Sequence, residues 1–141
     1  MNIMIDTNVI LDDILCRALY SDYAQAITQL VTDGLVNGYI TANCLTDIYY
    51  IVSKNRSEIV ARKVIKNLLL TFAVVSIDGQ DCMAAIDLQM GDFEDALVVV
   101  CAEKASLDYI VTNDKSFLNI TDLSIVAISP ADFLLMFDKQ N

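Results

Sequence analysis

The feature that most constrains this chain is a change of period repeated along its length: short apolar, β-favouring runs alternate with longer segments whose apolar residues recur every three to four positions. The short runs cover residues 2–5, 39–41, 72–77, 109–112 and 123–128. Between them, Tyr23, Ala24, Ile27, Leu30 and Val31, and later Val60, Val64, Ile65 and Leu68, fall at helical spacing. Strands that read as continuous apolar runs, above all 72–77, are the kind buried on both faces of a parallel sheet. The order predicts an α/β fold, a three-layer α/β/α sandwich around a mostly parallel five-stranded sheet.

Length and composition agree with a packed globule. A chain of 141 residues can bury a core without staples, and residues 1–141 read as a single domain. Hydrophobic residues make up 55% and there is a single Pro, so a disordered or low-complexity chain is excluded. Cys16, Cys44, Cys82 and Cys101 show no CxxC spacing and the chain has no His, which argues against zinc. The opening MNIMIDTNVILDD has no basic leader, so four buried free thiols in a reducing cytoplasm are expected. No apolar run reaches the ~20 residues that span a bilayer, and no membrane partner is expected.

The formal charge is −10, from 19 acidic and 9 basic residues. That balance opposes simple phosphate binding, which rests on Lys and Arg. Two features answer it: divalent cations would offset clustered carboxylates, and Lys54, Arg56, Arg62, Lys63 and Lys66 gather five of the nine bases in one segment.

In an open parallel sheet, ligands bind beyond the carboxyl ends of the strands. Asp6 ends the first run, Asp114 lies two residues past the fourth, Asp95 falls in the first turn of the helix DFEDALVVVCAEKA, and Asp47 lies early in the helix after the second run. Four elements thus deliver a carboxylate toward one edge. Such carboxylates stay ionised together only around a cation, and all-oxygen ligation without His favours Mg²⁺ or Mn²⁺. A metal site of this kind suits attack on a phosphodiester. Any one Asp after a strand is more often a helix cap or a solvated side chain. Asp12, Asp13, Asp78, Asp81 and Asp122 are read that way, and Asp92 and Glu94 as dipole partners or outer acids beside Asp95.

The same positions resemble the motifs of the PIN-domain family, in the family's order, and most of all its compact prokaryotic members related to VapC-type toxins. IMIDTNVILD resembles the first motif, which implies a metal ligand at Asp6 supported by Asn8. GDFEDALVVVCAE resembles the third and implies a ligand at Asp95, with Asp92 in an outer role. IVTNDKSF resembles the fourth, with Thr112 as a supporting hydroxyl and Asp114 as a ligand or water-orienting acid. The second motif usually presents Glu; YITANCLTDIYYIV offers Asp47, one methylene shorter, which implies contact with the metal through water. The resemblance implies Mg²⁺- or Mn²⁺-dependent endonucleolytic cleavage of RNA, often by a homodimer and often restrained by an antitoxin.

The RNA backbone is expected along Lys54, Arg56 and Arg62, with Lys115 beside Asp114. Tyr49 and Tyr50 are either base-stacking or core residues. Two other functions remain open: a PIN fold that binds without cutting, and a receiver-like module. The second needs a phosphoacceptor Asp ending a central third strand. A haloacid-type phosphatase lacks support, because Thr7 and Asn8 do not supply a second acid.

Overall fold

The computed structural model describes residues 1–141. Strand β1 (Asn2–Ile5) leads into α1 (Thr7–Ile14) and α2 (Ser21–Thr32), and β2 (Asn37–Thr41) into α3 (Ala42–Asn55) and α4 (Glu58–Thr71). After β3 (Ala73–Val75) come α5 (Gly79–Asp87) and α6 (Phe93–Lys104), then β4 (Tyr109–Val111), α7 (Lys115–Leu118), β5 (Val126–Ile128) and α8 (Pro130–Gln140). The five strands form one sheet in the order β3-β2-β1-β4-β5, and every pairing is parallel.

Alternation along the inner strands divides the core between two helical layers. Ile3, Ile5, Ile40 and Val111 pack with Val9 and Ile10 of α1, Ala24 and Ile27 of α2, Ile48 and Val52 of α3 and Phe133 of α8. Met4 and Ile110 point the other way, onto Val98, Val99, Cys101 and Ala102 of α6. Helix α6 is buried continuously from Ala96 to Ala102, which is why its apolar residues run all the way round rather than along one stripe. At β2, Gly38 leaves no room for a side chain: a Cβ there would stand 2.7 Å from a ring carbon of Phe72 and 2.8 Å from a methyl of Val31.

Several expectations are corrected here. The run 72–77 is not a strand buried on both faces. β3 is three residues long and sits at the sheet edge, paired only with β2, so Ala73 and Val74 are exposed. β5 is likewise a short edge strand, and Ile125, which precedes it, packs beneath α6 instead. Of the four free thiols only Cys44 and Cys101 are buried, because Cys16 lies in the exposed α1–α2 loop and Cys82 is half-covered on α5. Asp78 caps α5 in a reciprocal box with Asp81, but Asp81 itself is buried and held by Lys104, whose Nζ lies 2.6 Å from its Oδ2. Asp12 is buried too, whereas a cap or solvated role was expected. The receiver-like topology is excluded, since the third strand is an edge and the central strand is β1, which ends at Asp6. No helix is long and apolar enough to cross a membrane.

Candidate active site

The strand order reverses between β1 and β4. The chain leaves β1 toward β2 and β3 on one side, then crosses by α5 and α6 to β4 on the other. Loops diverge above such a switch point and leave a crevice at the carboxyl ends of the strands. Asp6 ends β1 there, its backbone N–H donating to Val111 O of β4 at 3.0 Å.

Asp6 is the N-cap of α1; its Oδ1 accepts from the Thr7 N–H at 2.8 Å. Its Oδ2 accepts from the Thr112 hydroxyl at 2.7 Å and the Asn8 amide at 3.0 Å. Thr112, fully buried just past β4, also accepts from the Asp114 N–H at 3.1 Å, so one hydroxyl ties the two acids together. Asn8 in turn accepts from the Asn113 N–H at 3.1 Å. Burial pushes the Asp6 carboxyl above its ordinary value and the charge on Asp114 adds to this, while the bonds from Thr112, Thr7 and Asn8 act against it.

Asp114 caps α7, its Oδ1 accepting from the Ser116 and Phe117 N–H groups. Asp92 caps α6 through a 3.0 Å bond from the Asp95 N–H, which seats Asp95 at the third position of that helix. The Asp95 carboxyl is pushed up to about 7, first by burial and then by the charges on Asp92, Asp6, Asp114 and Glu94. A carboxyl that titrates near neutrality beside four others marks crowded negative charge, a property that functional sites share.

These acids meet on one cavity of about 240 Å³, lined by Asp6, Asp92, Glu94, Asp95 and Asp114 together with Thr7, Asn8, Arg17, Thr41 and Asn43. A second cavity, of about 430 Å³, shares Asp92, Asp95 and Asp114 and continues past Met90, Ser116 and Ile120. Asp47 is half-buried on α3 and does not line the first cavity. It lies close to Glu94, whose carboxyl is pushed up by burial and then by the charges on Asp47, Asp92 and Asp6. Lys54, Arg56, Arg62 and Lys115 do not line the acid cavity. Lys54 lies over the ring of the exposed Tyr50, 5.5 Å from its centre, while Tyr49 packs against the core.

Nothing in the sequence singled out Arg17, Asn43 or Asn113, and Asp12 was expected only as a cap or solvated side chain. The Asn113 amide donates to Asp12 at 2.6 Å and Arg17 Nη1 lies 3.5 Å from the same carboxylate. Arg17 follows α1 in an irregular loop where no period predicts its direction. Asp12 carried one legible signal, its position among the apolar residues of α1, Val9, Ile10 and Leu11, which are buried with it.

The donor chemistry fits a hard divalent cation: every acidic oxygen is a carboxylate, the Asp95 carboxyl has no hydrogen-bond donor acting on it, and only Oδ1 of Asp114 is engaged. A buried Asn43 Oδ1 without a partner adds an open acceptor to the same cavity wall. No group of three or more His, Cys, Asp or Glu side chains is spaced as a finished metal shell, so the acids line the cavity rather than close around a point. Cys44, at the start of α3, is buried, which pushes its thiol up to about 12, and it does not line the cavity.

The chain is 27% identical over 120 residues to Ribonuclease VapC1 of Aquifex aeolicus (strain VF5), covering 82% of this chain and 83% of that protein. Its fold matches that of VapBC from Salmonella typhimurium, solved bound to DNA, with a TM-score of 0.69 at 18% identity over 92% of this chain and 98% of the other. It also matches Mycobacterium tuberculosis VapC20, described as a Sarcin-Ricin loop cleaving toxin, with a TM-score of 0.66 at 12% identity over 82% and 92%. The PIN-domain family model matches residues 2–116, from the first residue of β1 to the α7 turn that Asp114 caps, and the chain belongs to the PIN-domain family.

Proposed function

We propose that this protein is a divalent-metal-dependent endoribonuclease that hydrolyses RNA phosphodiester bonds, with Asp6, Asp95 and Asp114 holding Mg²⁺ or Mn²⁺. The meeting of these three carboxylates, from β1, α6 and the β4–α7 turn, on one cavity at the switch point of the sheet supports this most directly. A divalent cation supplies Lewis acidity at phosphorus and offsets the charge that develops as the phosphodiester is attacked.

The chain's own residues do the rest. Thr112, Asn8 and the Thr7 N–H fix Asp6 so that its carboxylate neither rotates nor recedes. Asp114, anchored through Oδ1, keeps Oδ2 available to orient the attacking water. Asp95 presents to the cavity a carboxyl that no donor engages, free to hold the cation beside Asp6. Asp92 fixes the turn that carries Asp95, and Asp47 acts through Glu94 as an outer acid. Lys54, Arg56, Arg62 and Lys115 would meet the RNA backbone beyond the cavity. The VapC1 relative and the VapBC neighbours support a toxin role with an antitoxin protein as partner. A homodimer as the working unit and the cytoplasm as its place complete the proposal.

A second reading, a PIN fold that binds RNA or protein without cutting, is favoured by two features: Asp47 stands off the cavity, and the acids form no finished shell. Incubation of the protein with a mixed RNA pool separates the two. Cleavage that needs Mn²⁺, stops with EDTA and is lost in Asp6→Asn supports the nuclease. Cleavage indifferent to EDTA and to Asp6→Asn points to a contaminant and removes the proposal, and absence of cleavage leaves the binding protein.

A further inference from the structure

A cavity lined by five carboxylates repels a polyanion, so an RNA strand entering it needs positive charge at the wall itself. Of the nine basic residues in the chain, Arg17 is the one that lines this cavity. Its guanidinium pairs with none of the five acids. It meets only the buried Asp12, through Nη1 at 3.5 Å, and its side chain is 43% exposed against 5% for Asp12. A guanidinium carries five N–H donors, and this contact engages one of them at its longest useful range.

The position of Arg17 is fixed from both sides. Its N–H donates to Asp12 O at 3.1 Å, and its carbonyl accepts from the Tyr20 and Ser21 N–H groups at 3.3 and 3.0 Å. Cys16 and Leu19, on either side, adopt left-handed backbone at φ 50° and 76°, a conformation that costs energy for such residues and holds the loop in one course.

The same cavity wall carries two further polar features without partners. The Asn43 side-chain oxygen is buried and bonded to nothing, and an orphan of this kind costs free energy unless a ligand group meets it. Asn43 lies in the first turn of α3, whose N-cap, Thr41, makes no side-chain cap bond.

We propose that Arg17 and Asn43, beside the uncapped start of α3, form a subsite for one phosphodiester of a single RNA strand, adjacent to the phosphate under attack. The assignment rests on the ribonuclease reading above for its ligand class. A planar guanidinium with free donors engages phosphate oxygens in pairs. The orphaned Asn43 oxygen, an acceptor, receives the hydroxyl of the neighbouring ribose. Asp12 is then a positioning residue that holds the guanidinium at the rim.

The test measures binding of a short fluorescein-labelled single-stranded RNA pool by anisotropy in EDTA across a salt titration, and cleavage of the same pool in Mn²⁺. Arg17→Gln should weaken binding about tenfold, the effect of losing one charge-assisted hydrogen bond. It should also flatten the dependence of log K on log salt by about 0.7, the share of one phosphate on a single strand. Arg17→Lys should keep the slope, and Asn43→Asp, which sets a like charge against the phosphate, should weaken binding by itself. In cleavage the loss should fall on KM rather than kcat.

Binding and slope unchanged in Arg17→Gln, with a wild-type melting curve, overturn the subsite while Mn²⁺-dependent cleavage still supports the nuclease. Binding that responds as expected without any cleavage removes the nuclease and leaves the subsite. A wild-type protein that binds no RNA in either condition overturns the subsite and leaves a carboxylate of a protein partner as the ion Arg17 engages.

Discussion

Thr112 and Asp6 are 106 residues apart in sequence, and the hydroxyl of one donates to the carboxylate of the other at 2.7 Å in a fully buried contact. The same oxygen of Thr112 receives the Asp114 N–H, so the two acids from β1 and the β4–α7 turn are set by a single side chain. The bond also opposes the burial that raises the Asp6 carboxyl.

Replacing Thr112 with Val keeps the shape and removes the hydroxyl. Asp6 then loses a donor in a buried setting, at a cost of about 1–3 kcal/mol. Its carboxyl rises further, so half-maximal Mn²⁺ binding, followed by titration calorimetry, should move to higher concentration. Thr112→Ser should restore both stability and metal affinity. Equal urea midpoints for Thr112→Val and the wild type would remove the assigned role.

Asp95 sets a pH dependence whose sign is fixed. Its carboxyl is raised from an ordinary 3.8 to about 7 in the folded state, so the fold binds this proton more tightly than the unfolded chain does. Without metal, stability should therefore fall as pH rises between about 4 and 7, and a cation entering near pH 6 should release protons. Asp95→Asn removes the penalty. It should raise the melting temperature in EDTA at pH 8 more than at pH 4, while abolishing cleavage. The same gain at both pH values, measured by thermal melts, contradicts the assignment.

Gly38 tests the packing that places the sheet. A methyl there would enter the space of Phe72 and Val31, both buried between β2 and the helices α2 and α4. Gly38→Ala should cost about 1–3 kcal/mol by overpacking, read as a lower urea midpoint with an unchanged slope. The paired change Gly38→Ala with Val31→Ala should recover part of it.

How much of this was legible beforehand differs from residue to residue. The periods of apolar residues specify the five strands and the longer helices of the sandwich, because burial on a helix stripe or a strand face is a local pattern, but not the four-residue α7, which is too short to carry a period. Asp6, Asp95 and Asp114 are readable as edge acids for the same reason: each stands at the end of a strand or the start of a helix, where a carboxylate also caps. The extents of β3 and β5 were not readable, since an apolar run does not say whether a neighbour strand covers it, and both proved to be edges.

Sequence alone determined that alternating strands and helices would build a parallel sheet, and that acids would gather at its carboxyl edge. Only the tertiary structure decided which strand is central, that Glu94 rather than its neighbour Asp47 lines the cavity, and that Asp12 is buried in contact with Arg17. The physical reason is range. Periodicity and capping act within a few residues, whereas the contacts of Thr112 with Asp6 and Asn113 with Asp12 span more than a hundred positions and exist only once the sheet has chosen its order.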